Sequence, residues 1–341
     1  MKKIRVLIVD DSTLMREAIR SILESTDLFE VVGIAKDGQE AVNKALVLKP
    51  DVITMDLKMP LLSGLEAIEE IMENNPIPII VVSSMDKEVI IKTLACGAMD
   101  FVSVSQDINT LSEELIEKVK IASRVKPIRR MKFDCPKIKK EIKTQNVSKV
   151  VGIGVSTGGP QALQQILMHM PSDFPAGIVV VQHISVGFID GLAEWLNSCS
   201  HLQVKVAVSG DILKSATVFL APDNYNITID EDSRVILKED ALKKLTHVPS
   251  ADVMLKSIAE SFKQNAVGVL LTGMGRDGAE GMQAIKKAGG ITIAQDEKSS
   301  VIFGMNKVAI EMGCIDQVVS LDKIPDELCA ITGGRSWPKK Y

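Results

Sequence analysis

A serine lies between glycines at the point where an apolar run gives way to a helical pattern. The segment Gly154-Val155-Ser156-Thr157-Gly158 follows an apolar run that begins at Val150, and it precedes a helical pattern opened by Pro160. Glycines on both sides of a serine permit a tight strand-to-helix turn that exposes the hydroxyl, and the helix N-terminus offers amides to a developing oxyanion. Ser156 is therefore a candidate nucleophile. The glycine pattern alone is equally typical of phosphate-binding turns and helix caps.

A base and an acid for this serine follow two further apolar runs. His183 ends the run that begins at Val179, and Asp277 comes shortly after the run that ends at Thr272. Three other histidines fall in a helix, a polar turn and a loop, where structural or solvent roles are more common: His169, His201 and His247. Because parallel strands end at one sheet edge, neighbouring strands would bring Ser156, His183 and Asp277 together as a Ser-His-Asp arrangement. Their order along the chain differs from the Ser, Asp, His order of α/β-hydrolases, which argues against simple membership of that fold.

The glycines around Asp277 allow a second interpretation. Gly273, Gly275 and Gly278 spell G-x-G-x-x-G between a strand pattern and a helical pattern, and Asp296 follows the next strand pattern. That arrangement is typical of dinucleotide-binding folds, in which the acidic residue holds the ribose. Two facts weigh against it. Asp277 places a carboxylate among amides meant for pyrophosphate, and only 45 residues follow Asp296.

Three carboxylates are predicted to share one sheet edge in the first half of the chain. Asp10 and Asp11 follow the first apolar run, Asp56 follows the third, and Ser83 ends a later one. A hard divalent cation such as Mg²⁺ relieves the repulsion among such carboxylates and binds phosphate oxygens beside them. A single aspartate at a strand end is ordinary loop chemistry, so the prediction of a cation site depends on the combination.

Apolar runs alternate with helical patterns along both halves of the chain. Continuous apolar strands between amphipathic helices predict parallel sheets covered on both faces, and so an α/β fold of two doubly wound domains. Strands are predicted at Ile4–Val9, Glu30–Ala35, Val52–Met55, Ile77–Val82, Asp100–Val104, Val150–Gly154, Gly177–Gln182, Val204–Val208, Val218–Ala221, Val267–Thr272 and Ile291–Gln295. Helices are predicted at Leu14–Leu23, Gln39–Leu48, Gly64–Met72, Lys87–Ala95, Ile108–Ile121, Pro160–Met170 and Ala279–Ala288.

A basic segment separates the two halves. Between Arg124 and Lys143 there are nine Lys or Arg residues and only two acids, Asp134 and Glu141, without apolar periodicity. A solvated hinge is the simplest interpretation. Binding of nucleic acid or of an acidic partner is the alternative, but Phe133 alone is available there for stacking on bases. We therefore expect a first domain over 1–122, a linker over 123–148 and a second domain over 149–333.

Composition excludes several classes of protein. With 46% hydrophobic and 25% charged residues, the 341-residue chain is too apolar for wholesale disorder. Its net charge of −4 predicts no strong attraction to nucleic acid or to membrane surfaces. No apolar run approaches the ~18 residues that a membrane-spanning helix needs. Five cysteines without a CxxC pair favour free thiols in a reducing cytoplasm over a disulfide framework or a zinc site.

The first half resembles the receiver domain of two-component response regulators. The resemblance rests on VDDS at 9–12, MDLKMP at 55–60, VVSS at 81–84 and GAMDFV at 97–102. It implies a flavodoxin-like domain with a five-stranded parallel sheet that takes a phosphoryl group from a histidine kinase. It implies Asp56 as the phosphoryl acceptor. It also implies Asp10, Asp11 and Asp56 as Mg²⁺ ligands, and Ser83 and Phe101 as the switch pair. The chain departs from receivers at Val104 and Ser105, where a Lys-Pro pair is usual.

The second half resembles the chemotaxis protein-glutamate methylesterases from about Val150 to Ile331. The shared segments are GVSTGG at 154–159, QH at 182–183, APDNY at 221–225, PSADV at 249–253, LTGMGRDGAEGM at 271–282 and VIFGM at 301–305. The resemblance places the nucleophile, base and acid of that family at Ser156, His183 and Asp277. The chain departs at Val248, where arginine is common, and at Asn306, where proline usually follows Gly-Met. Neither departure touches the catalytic set.

Together the two resemblances imply an esterase that a receiver controls. Ser156 would attack a glutamyl methyl ester of a chemotaxis receptor, with the oxyanion held by amides near Thr157 and Met274, and methanol would leave. Deamidation of receptor glutamines is implied as well. The expected partners are receptors and a histidine kinase, in the cytoplasm, with Mg²⁺ in the receiver and no cofactor for hydrolysis. The rival hypothesis is a response regulator whose second half only binds a dinucleotide or nucleic acid.

Overall fold

The computed structural model describes residues 2–84, 87–104, 108–125, 145–240 and 247–334. The chain forms two compact units that divide between Phe133 and Asp134. This division falls within the predicted basic linker, of which residues 126–144 lie outside the described residues, as does Ser105. Each unit has its own sheet.

The first unit is built on a five-stranded parallel sheet with strand order β2-β1-β3-β4-β5. Its strands are β1 Ile4–Val9, β2 Phe29–Ala35, β3 Val52–Met55, β4 Ile79–Ser83 and β5 Asp100–Ser103. Its helices are α1 Thr13–Glu24, α2 Gly38–Leu48, α3 Gly64–Asn74, α4 Lys87–Ala95 and α5 Ile108–Ala122. This strand order is that of flavodoxin-like folds, in which ligands bind where the winding reverses, between β1 and β3. The predicted fold of this half is confirmed.

Local sequence signals start the helices of this unit. The side chains of Ser12 and Asp37 cap α1 and α2 by accepting backbone N–H groups. Ser63 and Glu66 form a capping box at the start of α3. Strands β3 and β4 are buried along their whole length, as expected of central parallel strands covered by helices on both faces.

The second unit contains a seven-stranded parallel sheet with strand order β14-β13-β12-β6-β7-β9-β8, and an antiparallel hairpin of β10 and β11. Its strands are β6 Val150–Val155, β7 Gly177–Gln182, β8 Gln203–Val206, β9 Thr217–Leu220, β10 Asn226–Ile229, β11 Val235–Lys238, β12 Ala266–Leu270, β13 Ile291–Gln295 and β14 Gln317–Val319. Its helices are α6 Gly159–Met168, α7 Ile189–Cys199, α8 Ala251–Phe262, α9 Ala279–Lys287, α10 Met305–Glu311 and α11 Ile324–Thr332, with two 3₁₀ turns at Lys263–Asn265 and Leu321–Lys323.

The sequence-based assignment lacks the hairpin β10–β11, strand β14 and helices α7, α8, α10 and α11. The hairpin strands are four residues each, too short for a clear alternation. Their turn is set by Asp230, whose carboxylate accepts the N–H groups of Asp232 and Arg234. Helix α8 does carry a start signal, because Ser250 caps it by accepting the N–H of Val253.

Four cysteines fall within the described part of the chain. Cys96, Cys314 and Cys329 are free, as expected, and all three are buried. Cys199 is disulfide-bonded, which departs from the expectation of free thiols. Among the residues that the structure describes, no helix has both the length and the apolar character to cross a bilayer.

Candidate active site

Three neighbouring strands bring the predicted catalytic residues to one edge of the second sheet. Strand β6 pairs with β7 on one side and with β12 on the other. The pairing continues past the strand ends, where His183 N–H donates to Val155 O at 3.0 Å and Ser156 N–H donates to Thr272 O at 3.0 Å. Ser156, His183 and the loop that carries Asp277 therefore emerge side by side.

A hydrogen bond joins His183 to Asp277. The distance from His183 Nε2 to Asp277 Oδ2 is 2.9 Å, and the two side chains are only 13% and 11% exposed. Because a carboxylate only accepts, Nε2 carries the hydrogen and Nδ1 presents its lone pair. Within the described residues no hydrogen bond joins Ser156 Oγ to His183. Contacts of this kind are often long in ligand-free enzymes and tighten when substrate binds.

The start of helix α8 holds the carboxylate of Asp277. Ser250 Oγ and Asp252 N–H donate to Oδ1 at 2.8 and 3.0 Å, and Ala251 N–H donates to Oδ2 at 2.7 Å. Burial alone raises the pKa of Asp277, but hydrogen bonds from His183 and from the Asp252 and Ala251 amides outweigh burial and lower the pKa to about 2. Asp277 is therefore an ionised group with a fixed orientation. Sequence reasoning missed Ser250 in this role, although its cap position is readable.

Gln182 links the turn that carries Ser156 to the strand that carries His183. Its Nε2 donates to Ser156 O at 2.9 Å and to His183 O at 2.8 Å, and the residue is 2% exposed. The turn itself needs glycine at position 158, where φ is +76°. Sequence reasoning identified Gln182 only as part of a shared segment. Its contacts explain why a long amide side chain precedes the histidine.

The two expected oxyanion donors lie beside the nucleophile. Among the described residues, neither Thr157 N–H nor Met274 N–H donates to a protein acceptor. Gly273 lets the Met274 loop approach closely, since a Cβ at this position would lie 2.7 Å from Ser156 Cβ. The Thr272 hydroxyl donates to Thr157 O at 2.9 Å and so ties the two loops together. The arrangement leaves two amides available to an oxyanion.

The glycine-rich loop orients Asp277 and does not resemble a dinucleotide site. The carboxylate of Asp277 is occupied by His183 and the start of α8. Asp296, the candidate ribose ligand, instead accepts the N–H of Ser299 at 3.0 Å. Asp296, the acidic residue of the dinucleotide pattern, therefore stabilises the turn in which it lies.

The three carboxylates of the first unit form one cluster. Their oxygens, one each from Asp10, Asp11 and Asp56, all lie within 4.8 Å of one another. Burial first, and then the charges of Asp56 and Asp11, raise the pKa of Asp10 to about 6 against a hydrogen bond from Ser12 N–H that lowers it. Ser83 Oγ donates to Asp56 Oδ1 at 2.8 Å. Crowded carboxylates of this kind fit a hard divalent cation such as Mg²⁺.

Both units match known protein families. Residues 151–328 match the CheB methylesterase model, and residues 6–116 match the response regulator receiver domain. A protein-glutamate methylesterase/protein-glutamine glutaminase of Pyrococcus horikoshii is 42% identical over 95% of this chain and 92% of its own length. The chain belongs to the CheB methylesterase family. The protein of the same name from Thermotoga maritima is 42% identical over 95% of this chain and 97% of its own length.

A solved structure agrees with this membership. The crystal structure of the Thermotoga maritima CheB methylesterase catalytic domain is 40% identical and has a TM-score of 0.52. The match between the two structures covers 54% of this chain and 98% of that domain. The family inferred from the sequence motifs is confirmed, as is the α/β architecture of both halves. The hypothesis of a dinucleotide-binding second half has no support.

One departure from the CheB pattern, Asn306, makes a hydrogen bond near the site. Asn306 is fully buried and its Nδ2 donates to Gln295 O at 2.8 Å. Gln295 Oε1 in turn accepts the N–H of Thr272 at 2.8 Å. Proline at position 306 offers no side-chain donor for this link. Asn306 therefore helps to hold the loop that leads to Met274.

A second departure, Val104, lies beside the acidic cluster of the receiver. Val104 N–H donates to Ser83 O at 3.3 Å, so this position lies next to the residue that contacts Asp56. A valine side chain carries no charge to offer to a phosphoryl group. Lys118 is the cation at Phe101, with Nζ 5.1 Å from the ring centroid, but its charge is used by carboxylates on either side.

Proposed function

We propose that this chain hydrolyses glutamate methyl esters on chemotaxis receptors, releasing methanol, and deamidates receptor glutamines. The observation that carries the proposal is the His183–Asp277 hydrogen bond at the sheet edge where Ser156 emerges. Membership of the CheB methylesterase family supplies the substrate class. The receiver match supplies the regulation.

The geometry supports an acyl-enzyme route. His183 Nδ1 accepts the proton of Ser156 as Oγ attacks the ester carbonyl, and the amides of Thr157 and Met274 donate to the oxyanion, each worth roughly 3–4 kcal/mol. Asp277 stabilises the imidazolium. His183 then returns the proton to the departing methoxide, and methanol leaves. Water attacks the acyl-enzyme by the same proton transfers in reverse, releasing glutamate and Ser156.

Deamidation uses the same groups. A glutamine side chain places its carbonyl carbon and oxygen where the ester places them, so Ser156 attack and oxyanion donation are unchanged. The imidazolium of His183 protonates the leaving amide nitrogen, and ammonia departs. Both substrates end as receptor glutamate.

We propose that phosphorylation of Asp56 by a histidine kinase controls this activity. Asp10, Asp11 and Asp56 would hold Mg²⁺, which when bound neutralises charge on the transferred phosphoryl group. Ser83, already a donor to Asp56, and Phe101, buried on β5, form the proposed switch pair. We propose that this transfer occurs in the cytoplasm, with chemotaxis receptors and a histidine kinase as partners.

Methanol release from methylated receptor tests the function directly. Purified chain should release methanol, and a serine-directed fluorophosphonate should stop the release by labelling Ser156. Binding of NAD or DNA without methanol release or labelling would instead favour the rival binding protein. Ammonia release from receptor carrying glutamine at the same sites tests the second activity.

Removal of residues 1–144 should raise basal esterase activity. We propose that a receiver over 1–122 restrains the activity of a catalytic domain over 149–333 and that phosphorylation releases the restraint. The truncated chain keeps Gln145 and Asn146, since Gln145 N–H donates to Ser215 Oγ and Asn146 bridges to Lys214. Methanol release is compared with that of the unphosphorylated whole chain. Equal rates would contradict restraint by the receiver and favour a docking role.

Val104→Lys should increase activation by a small phosphodonor. Wild-type chain is expected to accept phosphate on Asp56 but to respond weakly, because one charge-assisted hydrogen bond worth roughly 1.5–3 kcal/mol is missing. Lys58, whose backbone N–H donates to Asp56 Oδ2 at 3.2 Å, is the lysine nearest to Asp56 along the chain and could replace the charge that is missing at position 104. Activation is measured as the ratio of methanol release with and without phosphodonor. Strong wild-type activation that survives Lys58→Ala and does not increase in Val104→Lys would show that the missing lysine is irrelevant.

A further inference from the structure

A second histidine ring lies against the base of the proposed mechanism. The rings of His183 and His247 are stacked, with centroids 4.5 Å apart and planes inclined by 24°. His183 is largely buried, whereas His247 is exposed at the surface. The two residues are far apart in sequence, so the contact is created by the fold. The proposed proton transfers do not use His247.

The hydrogen bond to Asp277 fixes one edge of the His183 ring and leaves its tilt open. That bond is made at Nε2, whose N–H lies in the plane of the ring. A ring held at one edge can tilt about that bond, and Nδ1, on the other side, is the atom displaced. Displacements of about 1 Å at reacting groups cost on the order of 10²-fold in rate. A flat group against one face of His183 prevents tilting toward that face.

The backbone that carries His247 is anchored to the same carboxylate. Three residues later, Ser250 N–H donates to Asn226 Oδ1 at 2.9 Å and Ser250 Oγ donates to Asp277 Oδ1 at 2.8 Å. The segment 247–252 therefore reaches His183 twice, at its edge through Asp277 and at its face through His247. We propose that His247 is a positioning residue that keeps His183 Nδ1 directed at Ser156. This proposal rests on the esterase function proposed above.

The test compares two substitutions of His247 in the full-length chain. His247→Ala removes the ring, and we expect kcat for methanol release to fall about 3- to 10-fold, the range that corresponds to one aromatic pair. KM should stay within about twofold, because the ring acts on the base and not on the receptor. His247→Phe keeps a flat ring and should restore kcat to within about twofold of wild type. His169→Ala, a change at an exposed histidine at the end of α6, is the matched control and should leave kcat unchanged.

Active sites are counted by labelling to completion with a fluorophosphonate, so that a misfolded fraction does not lower kcat. A kcat of His247→Ala equal to wild type would overturn the proposal. So would an equal loss in His247→Phe and His247→Ala, because the flat ring would then not be the cause. A change confined to KM would also overturn it and would place His247 at the receptor surface. Absence of methanol release from wild-type chain would instead contradict the proposed function, and this inference with it.

Discussion

Replacement of Ser156 by alanine should abolish methanol release while leaving the thermal unfolding of the protein nearly unchanged. Loss of the nucleophile in a serine hydrolase lowers kcat on the order of 10⁶-fold, below the reach of a methanol assay. Stability should change by less than about 0.5 kcal/mol, because the Ser156 hydroxyl has no hydrogen-bond partner among the described residues. Its backbone contacts to Thr272 and Gln182 persist in alanine. Activity and stability should therefore separate completely at this position.

The matched control is Ser198→Ala. Ser198 is an exposed serine of the same unit whose hydroxyl donates to Trp195 O in helix α7. The control should keep wild-type methanol release and should still react with a fluorophosphonate, whereas Ser156→Ala should not react. Turnover by Ser156→Ala at the wild-type rate would remove Ser156 from the mechanism, and labelling of that variant would point to another nucleophile.

The strands that carry the catalytic candidates were predicted well from the sequence, although their order in the sheet was not. The runs that end at Ser156, at His183 and before Asp277 are continuous and apolar, which is the pattern of central parallel strands. In the structure these runs are β6, β7 and β12, in that order, and β6 lies between the other two strands in the sheet. The condition on which the prediction of the catalytic set depended, neighbouring strands, is met.

The groups that support the site were beyond a local reading of the sequence. Ser250 reaches Asp277 across 27 residues, and the stacking of His247 on His183 depends on where the segment before α8 lies. The sequence next to Ser250 and His247 does not indicate that their partners are Asp277 and His183. Helix α8 was not predicted, although Ser250 supplies a cap. The α8 amides that keep Asp277 ionised were therefore not predicted either. Long-range polar contacts depend on tertiary packing, which one sequence does not display.

Asp277→Asn should lower both activity and stability. The carboxylate accepts four hydrogens, from His183, Ser250 and two α8 amides. An asparagine NH₂ group can donate to Ser250 or to His183, but at either position it also faces a backbone N–H, so one donor loses its acceptor. With its NH₂ group toward His183, asparagine favours the wrong tautomer, and a change of this kind costs about 10⁴-fold in kcat in a serine protease. The loss should be smaller than that of His183→Ala, which removes the base itself.

The stability loss should depend on pH in a defined direction. Lowering of the Asp277 pKa from 3.8 to about 2 corresponds to about 2 kcal/mol of stability. This stability is fully present above the pKa that Asp277 has in the unfolded chain, near 4, and it is lost as the pH falls through about 2. The difference in unfolding temperature between wild type and Asp277→Asn should therefore be constant near neutral pH, narrow below about pH 4 and close near pH 2.

Asp252→Asn is the control for the removal of a charge at the start of α8. Burial raises the pKa of Asp252, so its ionised form does not stabilise the fold and neutralising it should cost little. The Asp252 N–H that donates to Asp277 is retained in this variant. Methanol release should stay within a few-fold of wild type, at every pH where the protein is folded. If Asp252→Asn matched Asp277→Asn in activity and in the pH dependence of unfolding, the effect would belong to the helix terminus and not to the carboxylate that holds His183.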